Sequence, residues 1–425
     1  MSKHGDSTLV LHEGWRGDPA TNSIAVPIYQ TGSYTFDSSE HAANLFNLSE
    51  PGNIYTRLMN PTTDVFEKRL AALEGGVGAL ATASGMSAIF LAVTNVAKCG
   101  DHIIASSSLY GGTETLFRYT LPKFGIEVTF LDSIDADSIK ASVKDNTVLV
   151  YLETIGNPNG DVADLEAIST VAHNNGLPVF IDNTFAPLIC KPFEFGIDVV
   201  LYSCTKWIGG HGTSIGGAII DSGNFDWSQG RHPDFTTPDE SYHGLVYWEA
   251  LGKMAYIIKC RVDGMRNMGM CPSPFNSFQL IQGLETLPIR LEKHASNAVE
   301  LANWLVEQPE VAWVNFSGLA DHPSHELAKK YLKDSFGSVF GIGLKGGYDA
   351  AVKFIDSCEL IFHLANVGDV RSLVIHPAST THQQLSDEAL EACGITSDFI
   401  RLSVGIENVE DLKADLKQAL VKSQA

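Results

Sequence analysis

The sequence predicts an α/β chain built on a mainly parallel seven-stranded sheet, followed by a smaller C-terminal α+β unit. Three observations carry this expectation. Seven compact apolar runs lack the strict polar alternation of a half-exposed strand. Amphipathic stretches of helical length separate them. After about residue 221 the rhythm changes, and short strands come interleaved with longer helices.

Residues 1–60 are rich in Gly, Ser, Thr, Asn and Asp, with only brief apolar stretches such as Ile24-Ala25-Val26-Pro27, so they read as an arm that must lie on something. From about 61 the runs follow in order: Ala79–Thr82, Ile103–Ala105, Val128–Leu131, Val148–Leu152, Val179–Ile181, Val199–Tyr202 and Ala218–Ile220. Each is bounded by Gly, Asp or Pro, as buried strands between helices are. A polar stretch with Trp227, Pro233 and Pro238 comes next, then long helical segments that include Phe278 to Val306. Strands at Val339–Gly343, Ser372–Ile375 and Ile400–Val404 mark the last unit. The expected division is an arm at 1–60, an α/β unit at 61–265 and an α+β unit at 266–425.

With 29 basic against 50 acidic residues the net charge is −21, which disfavours nucleic acid and anionic membrane as partners. The start lacks an apolar leader and no run is long enough to span a bilayer, so a cytoplasmic location is expected. Cys99, Cys190, Cys204, Cys260, Cys271, Cys358 and Cys393 are odd in number and never spaced as C-x-x-C; they read as reduced thiols. The 14 histidines, among them His211, His363, His376 and His382, show no metal-ligand spacing, and no metal is expected.

Open parallel sheets bind ligands beyond the carboxyl ends of their strands, so the residues just after each run are the candidates. Ser84-Gly85-Met86-Ser87 can present backbone N–H groups to a phosphate at a helix start. Tyr110 can stack on an aromatic ring, and Asn157 can donate to an oxygen. Asp182 closes a buried strand and needs a cationic partner. Lys206 follows the next strand between Ser203 and Thr205, where partial burial would suit an imine-forming amine. A lysine for a Schiff base and a carboxylate for a pyridine nitrogen are what pyridoxal 5'-phosphate (PLP) requires of a protein. Two rival patterns fail on context. Ser203-x-x-Lys206 has no Ser-Asp-Asn or Lys-Thr-Gly after it, and Gly212-Thr213-Ser214-Ile215-Gly216 is followed by a strand where a hydrolase elbow needs a helix.

Taken in order, Tyr55-Thr56-Arg57 with Asn60-Pro61-Thr62, Ser84-Gly85-Met86, Tyr110-Gly111-Gly112, Asn157-Pro158, Asp182-Asn183-Thr184, Ser203-x-Thr205-Lys206 with Gly210-His211-Gly212, His376-Pro377-Ala378-Ser379 and Arg401-Leu402-Ser403-Val404-Gly405-x-Glu407 resemble the Cys/Met-metabolism family of PLP enzymes across nearly the whole chain. The resemblance implies the aspartate-aminotransferase fold (fold type I), with PLP bound by the 61–265 unit and the arm reaching a neighbouring subunit. It implies Lys206 as the Schiff-base lysine, Asp182 as partner of the ring nitrogen, Tyr110 as the stacking residue, and Gly85, Met86, Ser203 and Thr205 as phosphate binders. Tyr55 and Arg57 would serve the phosphate site of the neighbouring subunit, making a dimer obligatory and a homotetramer expected. Arg401 would clamp the substrate carboxylate, with Asn157 and Ser372 as further contacts.

Within the family, Gly112 stands where methionine γ-lyases tend to carry a cysteine, and Thr213 near where cystathionine synthases and lyases usually place an aspartate. The stretch after Lys206, the polar insertion at 221–245 and the text from Ser372 to His382 are most similar to the branch that joins O-acetyl-L-homoserine to sulfide or a small thiol, giving homocysteine or methionine and acetate. An amino-acid ester and sulfide are the small-molecule partners this implies. A lyase of the same family and a catalytically silent scaffold are the alternatives.

Overall fold

The computed structural model describes residues 4–333, 335–380 and 396–424. His382 and Cys393 lie outside the described residues. All seven apolar runs are strands: β1 (Gly78–Thr82), β2 (His102–Ser106), β3 (Glu127–Leu131), β4 (Thr147–Glu153), β5 (Val179–Asp182), β6 (Val199–Ser203) and β7 (Gly217–Asp221). They form one sheet in the order β1-β7-β6-β5-β4-β2-β3. The pairs β2·β3, β2·β4, β4·β5 and β5·β6 are parallel, whereas β7 runs antiparallel to both β6 and β1. The exception has a local cause. Between β6 and β7 the chain makes only a glycine-rich turn, and without a crossover helix the returning strand is antiparallel.

Two apolar clusters, one on each face, bury this sheet. The helix Pro61–Glu74 starts on Asn60, whose side chain accepts from Thr62, and on Pro61 at its first turn; it stops at Gly75, whose φ of 77° is a conformation glycine adopts without a Cβ clash. The N-terminal stretch is more structured than an arm of loops. A helix, Asp6–His12, packs on Pro61–Glu74 by burying Leu9 and Val10, a contact of about 1.5–3 kcal/mol per side chain. Beyond it Ile24, Phe36, Phe46 and Tyr55 stay exposed.

A second sheet, in the order β10-β11-β12-β9-β8, consists of β8 (Val311–Asn315), β9 (Val339–Leu344), β10 (Phe362–His363), β11 (Leu373–Ile375) and β12 (Phe399–Ser403), with its own core. Sequence patterning reveals β9, β11 and β12 but not β8 or β10. β10 is two exposed residues and carries no apolar run, whereas β8 does contain one, Val311-Ala312-Trp313-Val314, which the sequence expectation passed over. The expected helix from Phe278 to Val306 is two helices, Pro274–Glu285 and Leu287–Val306. Pro288 has no N–H to continue the first helix and is tolerated in the opening turn of the second. The second helix joins the two cores: Leu287 and Leu291 pack under the large sheet, Leu301 and Leu305 under the small one. Among the described residues no helix is long and apolar enough to cross a membrane.

Candidate active site

The carboxyl ends of β4, β5 and β6 lie side by side, so Glu153, Asp182 and Ser203 end neighbouring strands on one edge of the sheet. A cavity of about 1210 Å³ opens there, lined by residues from these strand ends, from the start of the helix Gly85–Thr94, from the Ser107–Tyr119 segment, from 365–367 and by Arg401 of β12. Nine sequence candidates line it: Gly85, Met86, Tyr110, Asn157, Asp182, Ser203, Thr205, Lys206 and Arg401.

Lys206 sits in a turn directly after β6, where Gly209 N–H donates to the Cys204 carbonyl at 2.8 Å and Gly210 N–H to that of Lys206 at 2.7 Å. Its Nζ donates to Asn366 Oδ1. Burial pulls the amine down to about 8; the Arg401 charge acts the same way and Asp182 opposes it. Arg290, which sequence reasoning did not single out, braces the turn. Its guanidinium is buried and donates to the carbonyls of Trp207 at 2.7 Å, Ile208 at 3.3 Å and Gly283 at 2.6 Å.

Asp182 is pushed up to about 6 by burial, against hydrogen bonds from the Thr184 hydroxyl and N–H and against the Lys206 charge; the N–H lies at 2.9 Å. Thr184 also takes the Ser203 N–H at 2.7 Å, which ties the two strand ends together. Arg401 is brought down to about 10 by burial, and its one hydrogen bond among the described residues is to Asn157 Oδ1 at 3.3 Å. A half-buried guanidinium that pairs with no carboxylate among the described residues is a site for an anion.

At the other end of the cavity the helix Gly85–Thr94 begins on Ser84, whose hydroxyl accepts the Ser87 N–H at 3.1 Å. A Cβ on Gly85 would lie 2.7 Å from Ser203 Cβ, so only glycine lets this helix start approach β6. The result is a concave set of N–H groups beside the hydroxyls of Ser203 and Thr205, suited to a phosphate. Tyr110, half exposed, stands over the cavity with its N–H donating to Glu153 Oε1 at 2.7 Å.

Three candidates stand outside the cavity. Tyr55 is exposed, and Arg57 lies over its ring at 5.3 Å while donating to the Arg266 carbonyl. Ser372 is buried behind β12, with its hydroxyl 2.9 Å from Glu407 Oε2 and accepting the Gly405 N–H at 2.8 Å. Sequence reasoning missed Glu153, Thr184 and Asn366 as site residues. The first two adjoin runs already read as strands, so the rule of strand ends could have found them; Asn366 lies in a loop with no local signal.

A family model described as "Cys/Met metabolism PLP-dependent enzyme" matches residues 7–421. The chain is 52% identical over 423 residues to an O-acetyl-L-homoserine sulfhydrylase of Leptospira meyeri, covering 97% of this chain and 96% of that one. It is 51% identical over 417 residues to a homocysteine synthase of Schizosaccharomyces pombe, covering 97% of each. A solved structure from Campylobacter jejuni, assigned as an O-acetylhomoserine (thiol)-lyase and carrying N'-pyridoxyl-lysine-5'-monophosphate, matches with a TM-score of 0.95 at 42% identity, covering 98% of this chain and 100% of that one.

Proposed function

We propose that this chain, which belongs to the family of Cys/Met metabolism PLP-dependent enzymes, catalyses a γ-replacement in which O-acetyl-L-homoserine and sulfide become L-homocysteine and acetate. The observation that carries this is one cavity faced by a lysine amine, a half-buried carboxylate and a half-buried guanidinium, in a chain half identical to relatives named for that reaction.

The residues fit pyridoxal 5'-phosphate. Asp182 is a half-buried carboxyl held, among the described residues, only by Thr184 and the more distant Lys206 charge, and a protonated pyridine nitrogen would complete it. The helix start at Gly85 and Met86, with Ser203 and Thr205, would hold the phosphate, Tyr110 would cover the ring, and Asn157 would reach its phenolic oxygen. When bound, the cofactor supplies an electron sink for negative charge on the amino acid.

Around that group each side chain has a task of its own. Lys206, with an amine near 8, would hold the cofactor covalently at rest and, once released, take the Cα proton, pass it on to the bound cofactor and, neutral again, take a Cβ proton. Removal of the Cβ proton is needed because a leaving group on Cγ is out of reach of charge at Cα. Arg401 fixes the substrate carboxylate by two parallel N–H···O bonds, with Asn157 orienting the guanidinium. Tyr110 assists the departing acetate oxygen, which leaves with the Cγ–O electron pair. Hydrosulfide then forms the C–S bond, and Lys206 returns the protons. Ser372 acts from behind by holding Glu407 and the Gly405 backbone.

The exposed apolar residues of 1–60 would be covered by a second copy of this chain, with Tyr55 and Arg57 at its phosphate site and dimers pairing into a tetramer. A cytoplasmic location follows from the same metabolic reading. Incubating the purified enzyme with acetylated or succinylated homoserine, and with sulfide or cysteine, tests the assignment. Homocysteine from the acetyl ester and sulfide is expected; ketoacid release without a thiol product would make the chain a lyase instead.

A further inference from the structure

Glu153 is a carboxyl in the wall of the cavity with no part in the chemistry above. It ends β4, lies in register with Asp182 at the end of β5, and is buried. Its Oε1 accepts the Tyr110 N–H at 2.7 Å, and among the described residues no Lys, Arg or His forms an ion pair with it. Tyr110 opens the short helix Gly111–Thr115 and makes no side-chain cap of its own. The Glu153 carboxyl holds the N–H side of this residue, while the Tyr110 carbonyl accepts the Thr113 and Glu114 N–H groups at 2.8 and 2.9 Å; together they fix the backbone from which the Tyr110 ring projects.

We propose that Glu153 is a positioning residue of this site: it sets Tyr110, and with it the ring that covers the cofactor, by accepting one hydrogen bond rather than by carrying charge. The inference rests on the cofactor reading given above. Two adjacent buried carboxyls without a cation between them do not both ionise. Asp182 receives an N–H and a hydroxyl from Thr184 and faces the Lys206 charge. Among the described residues Glu153 receives only the Tyr110 N–H, and burial, then Asp182, then Asp161 hold it well above the usual carboxylate range. The proton therefore belongs to Glu153 and the negative charge to Asp182. A carboxylate at 153 would compete with Asp182 for the ring nitrogen; an uncharged carboxyl keeps the acceptor and leaves one anion in the cavity.

The test compares Glu153→Gln, which keeps the acceptor and cannot ionise, with Glu153→Leu, which has none. Four readouts apply: affinity of the cofactor-free protein for pyridoxal phosphate, circular dichroism of the bound chromophore, the pH profile of kcat/KM, and the infrared difference between parent and Glu153→Gln. The glutamine variant should match the parent within about threefold in affinity and kcat/KM, with an unmoved pH profile. The leucine variant should lose roughly tenfold or more in affinity, because it leaves a buried N–H unpaired, and should alter the dichroism. A protonated-carboxyl stretching band should vanish in the glutamine variant. A glutamine variant as impaired as leucine, a leucine variant equal to the parent, or no such band near neutral pH would overturn the proposal. If leucine does not fold, the glutamine variant and the infrared band still decide. A parent protein that takes up no pyridoxal phosphate would refute the underlying cofactor reading instead.

Discussion

Replacing Asp182 by asparagine should stabilise the cofactor-free protein while disabling the enzyme. Asp182 is held up to about 6 in the fold against 3.8 ordinarily, chiefly by burial. The sign follows from that order. In the unfolded chain the proton leaves near 3.8, in the folded chain near 6, so the folded state is penalised as pH rises from about 4 and carries the full penalty above about 6. At about 1.4 kcal/mol for each tenfold, the gap between 3.8 and about 6 amounts to about 3 kcal/mol. Asparagine keeps an oxygen for the Thr184 N–H and removes the charge. Urea titrations of cofactor-free parent and Asp182→Asn should thus differ by up to about 3 kcal/mol at pH 7.5, in favour of the variant, and by about half of that at pH 5. Turnover should fall by about two orders of magnitude or more, since the variant offers no charge to hold a ring nitrogen protonated. A variant no more stable than the parent at pH 7.5, a gain that does not shrink at pH 5, or undiminished turnover would refute the reasoning.

Other perturbations bear on single groups. Lys206→Ala should abolish turnover together with borohydride-trapped cofactor on the peptide that contains position 206; an active variant would reject the assignment. The Lys206 amine near 8 is mostly protonated at pH 7, so the rate at which cofactor-free protein captures pyridoxal phosphate should rise nearly tenfold from pH 7 to about 8.5 and then level; a rise continuing towards the ordinary 10.5 in stopped-flow absorbance would contradict the shift. Arg401→Lys should raise the KM for the amino acid about 10- to 100-fold, a loss of about 1.5–3 kcal/mol, because an ammonium cannot make the paired bonds of a guanidinium; an unchanged KM would count against the clamp. Gly85→Ala places a methyl 2.7 Å from Ser203 Cβ, so the helix start must retreat and cofactor affinity should drop at least tenfold in equilibrium titration; parental affinity would show that the close approach is dispensable.

Most strands of the large sheet were legible because each is a short, wholly buried run, and burial on both faces leaves a signature that does not depend on the neighbours. The two exposed residues of β10 leave none; β8 does carry an apolar run, Val311–Val314, and is no less buried than β3, so it was readable in principle. The break at Thr286 was readable in principle from Pro288, yet the apolar periodicity on either side conceals it. Of the site, Lys206, Asp182 and Tyr110 could be picked out because they follow strands, where a parallel sheet exposes its ligand edge. Asn366 could not, since it comes to Lys206 from a loop 160 residues away.

The sequence by itself determined which segments become buried strands and which polar residues stand at their carboxyl ends, because both are properties of a few consecutive side chains. Tertiary structure alone decided that β7 runs antiparallel, that Arg401 of the smaller sheet shares a cavity with Lys206, and that Glu153 lies beside Asp182. Those relations depend on strand order and on how the two cores meet across the helix Leu287–Val306, and contacts between distant segments are set by the packing of the whole chain rather than by any one stretch of it.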